Sequence, residues 1–122
     1  MAGKIVHIEI KAKDPDRATA FYKSVFGWQF GESGMEGIDY RMAQLDEQSG
    51  AAIYPDKGAG SGPLVYIDTD DIDASVAKVR ESGGEADDKQ PIPSIGWFSH
   101  SKDTEDNPFG LFQSDESAQP PS

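Results

Sequence analysis

"VHIEIKAKDPDRATAFYKSVFGW", residues 6–28, holds two periodicities back to back, and the joint between them decides the fold. From Lys4 to Lys11 apolar and polar residues alternate: Val6, Ile8 and Ile10 share one face, His7, Glu9 and Lys11 the other. The first face is built to pack and the second is wetter. The alternation stops at Asp14-Pro15-Asp16, where an N-cap carboxylate, a proline suited to the first helical position and an acid matched to the helix dipole follow one another. Ala18, Phe21, Tyr22 and Val25 then recur at helical spacing, which predicts a buried face, and Gly27 is placed to stop the helix. Short strands are expected near 28–32, 38–45 and 50–54, separated by the turn-rich "ESGMEG" and "DEQSG".

The same order returns later. "PLVYIDTDDIDASVAKVRESGG", residues 63–84, is again strand, acidic cap, helix and glycine stop. A shift of 57 residues pairs Asp14 with Asp71, Asp16 with Asp73, Ala20 with Ala77 and Gly27 with Gly84, which marks an internal repeat. Strands near 85–91, 95–102 and 108–113 complete a second unit. The reading is an α+β fold of two tandem βαβββ modules, about 4–54 and about 63–113, joined by a linker at 55–62 and followed by a polar tail at 114–122 expected to be disordered. Either half alone would bury too little apolar surface, so the 122 residues form a single domain. If the two sheets curl into a mixed sheet around a cleft, their wetter faces line it.

Composition narrows the chemistry. The absence of cysteine excludes disulfides, thiolate metal sites and thiol nucleophiles, so any metal must be held by nitrogen and oxygen. The net charge of −11 is uneven, 8 acids against 6 bases in residues 1–54 and 14 against 5 in residues 55–122. Such a field disfavours nucleic acid and anionic membranes and draws cationic ligands. No apolar run is long enough to span a bilayer and no signal-peptide pattern opens the chain, which reads as soluble and cytoplasmic. "GAGSG", residues 58–62, precedes a strand and is not followed by Gly-Lys-Ser/Thr, so it reads as linker and not as a phosphate loop. No Gly-x-Ser-x-Gly elbow supports a serine hydrolase.

Three pieces together carry a family resemblance: "VHIEIKAKDPDRATAFYKSVFGW", "YIDTDDIDASVAKVRESGG" and the closing "GWFSHSKDTEDNPFGLFQ". In that order and spacing the chain resembles the vicinal oxygen chelate superfamily, also called the glyoxalase, bleomycin resistance and dioxygenase superfamily, over about residues 4–113. The resemblance implies paired βαβββ modules around a cleft (a glyoxalase-like fold), a small-molecule ligand and, commonly, a homodimer. Metal-dependent relatives take ligands from the first and fourth strands of each module. His7 matches the first of these positions; Leu64, Ala52 or Ile53, and Gly110 stand at the others. A divalent metal is therefore the one cofactor the resemblance implies, with His7 its single matching ligand. Where relatives read Asp-Pro-x-Gly-Asn before the last strand, this chain reads Asp103-Thr104-Glu105-Asp106-Asn107, whose Asp106 and Asn107 tolerate left-handed backbone.

Glu9 lies two residues from His7 on the same strand face, and His7 with Glu9 form the candidate acid–base pair. Tyr40, Leu64, Tyr66, Trp97, His100 and Phe112 are candidate ligand contacts, with Trp28 and Phe30 near the second strand. Whether His100 or Trp97 faces the cleft is left open by the alternation of 97–102. Two function classes stay open: a ligand-binding or metal-independent member held together by these groups, and a metal-assisted lyase, isomerase or dioxygenase that recruits Glu9, His100 or a partner-chain residue.

Overall fold

The computed structural model describes residues 2–32 and 37–120. The chain forms two compact units, one of Val6–Leu64, the other of the residues before Val6 together with those from Val65 onward. The expected α+β architecture of two strand–helix–strand modules is present, with the strand expected near 85–91 split into two short strands. In the first, β1 (Ile5–Ala12), α1 (Pro15–Phe26), β2 (Gly31–Glu32), β3 (Arg41–Gln44) and β4 (Gly50–Pro55) follow in order. Its sheet runs β2-β3-β4-β1, with β1 parallel to β4 and the rest antiparallel. In the second, β5 (Leu64–Asp68), α2 (Ile72–Glu81), β6 (Glu85–Ala86), β7 (Gln90–Ile92), β8 (Gly96–Lys102) and β9 (Pro108–Ser114) give a sheet in which β5 lies parallel to β9, and β8 lies between β9 and the short pair β6 and β7. The turn expected at "ESGMEG" falls largely outside the described residues.

The helix starts follow the predicted chemistry. Asp14 caps α1 by accepting from the Arg17 amide at 3.1 Å, and Asp71 caps α2 by accepting from the Ala74 amide at 3.1 Å. Gly27 ends α1 at φ +75°, a left-handed conformation that glycine adopts without steric cost. The paired stop at Gly84 is corrected: α2 is two residues shorter than α1, ends at Glu81, and the left-handed backbone falls on Gly83.

The two helices differ in what they bury. Ile72 and Val76 of α2 join Leu111 of β9 in a closed cluster flanked by Val79, Ala86, Trp97 and Phe109. The Gln113 side chain accepts from the Ile72 amide at 2.8 Å, tying the start of α2 to β9. By contrast α1 buries no residue, and the expected buried stripe of Ala18, Phe21, Tyr22 and Val25 is half-exposed or exposed. Arg41, which bonds Asp16 of α1 at 2.7 Å, marks the strand side facing α1, and the β3 and β4 residues alternating with it are Ala43, Ala51 and Ile53. Ile8 and Ile10 of β1, paired with Ala51 and Ile53, complete that side.

The chain ends also depart from expectation. Gly3 and Lys4 exchange backbone hydrogen bonds with Asp68, so the start of the chain belongs with the second unit. The tail expected to be disordered continues β9 to Ser114. Asp115 then bonds Ile95, the Ser94 amide donates to the Ala118 carbonyl, and Ala118 is fully buried. Polar composition hid this because the anchoring is by backbone groups and one methyl. The last turn survives as expected: Asp106 takes φ +66°, and Asp103 Oδ1 accepts from the Glu105 and Asn107 amides. Those bonds hold the Asp103 carboxyl below its usual range. Among the described residues no helix is long and apolar enough to cross a membrane.

Candidate functional site

The wet face of the first module is set by register. β1 places His7 beside Gly50, Glu9 beside Ala52 and Lys11 beside Tyr54 of β4, and β3 places Met42 beside Ala52. Ala52, and not Ile53, therefore shares the face of His7 and Glu9. Tyr40, just before β3, lies on the far side of β4 from β1. With only Gly50 and Ala52 between them, side chains from the two flanking strands can meet above β4. They do: His7 Nε2 lies 2.6 Å from the Tyr40 hydroxyl, which donates to Glu9 Oε2 at 2.7 Å. The Tyr40 ring stacks with His7 at a centroid distance of 6.1 Å and with Tyr54 at 6.0 Å.

This chain of three groups has a definite polarity. Tyr40 has one proton and gives it to Glu9, so its oxygen accepts from His7 and the His7 proton sits on Nε2. Burial lowers the His7 pKa below its ordinary 6.5, against the opposing pull of Glu9, so the ring is neutral near pH 7 and Nδ1 is its acceptor. Burial, reinforced by Glu9 and Asp56, raises the Tyr54 pKa and keeps that phenol protonated. The result is a carboxylate, a relaying hydroxyl and a neutral imidazole on one sheet face, able to hydrogen-bond a polar organic group or pass a proton.

The second module carries a different set on the equivalent face. Tyr66 of β5 and His100 of β8 both lie beside Gly110 of β9, and their Oη and Nε2 atoms are 3.2 Å apart. Gly110 is required here: a Cβ on it would come within 2.3 Å of the Tyr66 ring. Phe98 and Phe112 share this face, with the Phe98 ring 5.3 Å from His100. Leu64 opens β5 and is half-buried. Along 97–102, Phe98, His100 and Lys102 share the face of Gly110 and Phe112, and Trp97, Ser99 and Ser101 the other. Trp97 lies on the opposite side, against the cluster beneath α2, where Asp115 accepts from its indole at 3.0 Å and Lys89 sits 4.5 Å above its ring. Trp97, expected as a ligand contact, is half-buried against that cluster, on the face opposite Tyr66 and His100. Trp28 and Phe30 are also placed elsewhere, in a run of rings with Tyr22 and Phe26 at the end of α1.

Sequence reasoning named His7, Glu9 and Tyr40 one by one but not their joining through the Tyr40 hydroxyl, and it did not single out Tyr54 or Phe98, which stack beside Tyr40 and His100. The pattern Gly50-x-Ala52-x-Tyr54 was the available signal, small residues making room between longer neighbours.

Of the positions at which the family resemblance expects metal ligands, His7 alone carries a donor side chain. Of the matching positions, Ala52 and Gly110 face the right way but have no donor atoms, Leu64 has none either, and His7 Nε2 is already engaged by Tyr40. Among the described residues no three His, Asp or Glu side chains gather closely enough to hold an ion.

The fold and the register of the first and fourth strands define one class. The chain belongs to the glyoxalase/bleomycin resistance protein/dioxygenase superfamily, whose sequence profile matches residues 4–93. A glyoxylase-like domain-containing protein of Didymella fabae is 34% identical over 119 residues, covering 89% of this chain and 92% of that protein. Among solved structures, a variant of Streptomyces coelicolor methylmalonyl-CoA epimerase bound to 2-nitronate-propionyl-CoA superposes with a TM-score of 0.73 at 19% identity, covering 98% of this chain and all of that one. A superfamily member from Vibrio splendidus gives 0.68 at 16% identity, covering 93% of this chain and 100% of that one. At such identities the structural likeness is one of fold.

Proposed function

We propose that this protein is a small-molecule-binding member of the superfamily that works without the family's complete metal site. An organic ligand with a carbonyl, hydroxyl or amine is held against the wet face of the first module by His7, Glu9 and Tyr40. The observation that carries this reading is the continuous hydrogen-bonded chain from His7 through Tyr40 to Glu9. Such a chain fixes donor and acceptor positions before a ligand arrives, which lowers the entropic cost of binding. The acidic balance of the molecule favours neutral or cationic ligands over anions. If the ligand is turned over, Glu9 is the base, Tyr40 relays its proton, and His7 orients the reacting group.

The test is calorimetric binding of a panel of aromatic amines, acyl thioesters and thiol adducts of α-oxoaldehydes, on wild type, His7→Ala and Tyr40→Phe. Metal content is measured by mass spectrometry on the same untagged preparations. Metal-free protein that binds a panel member, with affinity falling about 10-fold in each variant, supports the reading, since a net hydrogen bond is worth ~1 kcal/mol and bonds to charged groups more. Near-stoichiometric metal that disappears in His7→Ala would overturn it and favour a metal-assisted lyase, isomerase or dioxygenase.

A further inference from the structure

The Tyr40 hydroxyl links two residues because it stands in one place, 2.6 Å from His7 Nε2 and 2.7 Å from Glu9 Oε2. The sheet ladder stops short of it. Tyr40 precedes β3 by one residue, outside the ladder that pairs Arg41 with Ile53, and its side chain crosses β4 to reach two residues of β1. Other staggered settings of its side-chain torsions would carry the hydroxyl away from both partners.

A neighbouring ring supplies what the ladder does not. Tyr54 follows Ile53 in β4, and one more step of the Arg41–Ile53 register sets it opposite Tyr40. Its own backbone is held in β4, where it pairs with Lys11 of β1. The Tyr40 and Tyr54 rings lie 6.0 Å apart at an interplanar angle of 29°, within the range of offset stacking. Burial, the largest influence on the Tyr54 phenol, keeps it protonated, so a neutral ring and not a second anion stands near Glu9.

The two kinds of support differ when a ligand arrives. A polar group that bonds His7 or Glu9 competes with the Tyr40 hydroxyl for the same atoms, so those hydrogen bonds are exchanged. The ring contact is not part of that exchange. We infer that Tyr54 is a positioning residue whose ring, and not its hydroxyl, holds Tyr40 in line with His7 and Glu9 while a ligand binds. This rests on the site proposed above and adds to it a residue that acts through Tyr40.

Two measurements separate the role of Tyr54 from the ligand reading. Without any ligand, the His7 imidazole N–H proton, assigned by its loss in His7→Ala, should give a magnetic resonance signal protected from solvent exchange. That signal should persist in Tyr54→Phe and broaden away in Tyr54→Leu. With benzylamine as the aromatic amine of the panel, calorimetry should show Tyr54→Leu weakening binding about 5-fold and Tyr54→Phe less than about 2-fold, the scale of one stacking contact. Adding Tyr54→Leu to Tyr40→Phe should weaken binding no further, since the hydroxyl to be positioned is already gone. Circular dichroism confirms that each variant is folded, and Tyr54→Met, a second variant without a ring, decides if Tyr54→Leu is not. A protected signal that survives the loss of the Tyr54 ring, a loss in Tyr54→Phe equal to that in Tyr54→Leu, or additive losses in the double variant would overturn the inference. If wild type binds no member of the panel, the ligand reading fails, and the imidazole signal still decides the role of Tyr54.

Discussion

The two modules share a register and differ in what they have spent it on. In the first, β1, β4 and β3 set Glu9, Ala52 and Met42 side by side; in the second, β5, β9 and β8 set Tyr66, Gly110 and His100 at the same positions. Beneath α2 lies a closed apolar cluster, whereas α1 buries no residue and its apolar stripe stays exposed. The second module is built for internal stability. The first keeps its carboxylate and its neutral imidazole on one face, so residues able to act on other molecules concentrate there.

The sharpest way to break this comparison is to empty the core of one module and trim the stripe of the other. Ile72→Ala should cost about 2–5 kcal/mol in denaturant unfolding, because a cavity opens under α2. Val25→Ala should cost less than about 1 kcal/mol, since its side chain already faces water. Equal losses would mean that α1 is anchored as deeply as α2.

Next in size is the central position of the fourth strand. Gly110→Ala should destabilise by about 1–3 kcal/mol and break the Tyr66–His100 contact, because the new methyl group collides with the Tyr66 ring. Ala52→Gly in the first module removes a methyl that clashes with nothing and should cost only about 0.5–1 kcal/mol through backbone entropy. Thermal unfolding of the two variants reads the difference directly.

The caps should be closer to equal. Asp14→Ala and Asp71→Ala each remove one side-chain bond to a helix amide, and each should cost about 1 kcal/mol by chemical denaturation. A much larger loss at Asp71 would show that the start of α2 is coupled to the bonds of Thr69, Ser75 and Gln113 around it.

The smallest effect is a pH dependence confined to the first module. Because burial lowers the native His7 pKa, the unfolded chain takes up a proton first as pH falls below about 6.5, so stability is full above that value and is lost as pH drops toward the native pKa. His7→Gln should flatten the stability curve between neutral and mildly acidic pH. An unchanged slope would place the sensitivity elsewhere.

Much of this was legible in the sequence where the signal is local. Asp14, Asp71, Gly27 and the strand of His7 act through neighbours within four residues, and periodicity reports such neighbours well. The joining of His7, Tyr40 and Glu9 depends on a pairing across β4 more than thirty residues away, which no local pattern carries. The face of Trp97 stayed open for a related reason. Alternation gives two faces to β8 but does not say which is which until Phe98 and His100 are seen beside Phe112 and Gly110. The α1 stripe misled because helical spacing announces an apolar face but is silent about how much of it the rest of the fold covers.

The short segment after β9 has a practical consequence. A domain boundary drawn where strand patterning ends, at 113, would remove Asp115 and Ala118. The Trp97 indole and the Ser94 amide would lose their acceptors, the Ile95 carbonyl would lose its donor, and the site now filled by the Ala118 methyl would be empty. A C-terminal trim of this chain is therefore a core mutation in disguise, and tags or fusions belong beyond Ala118.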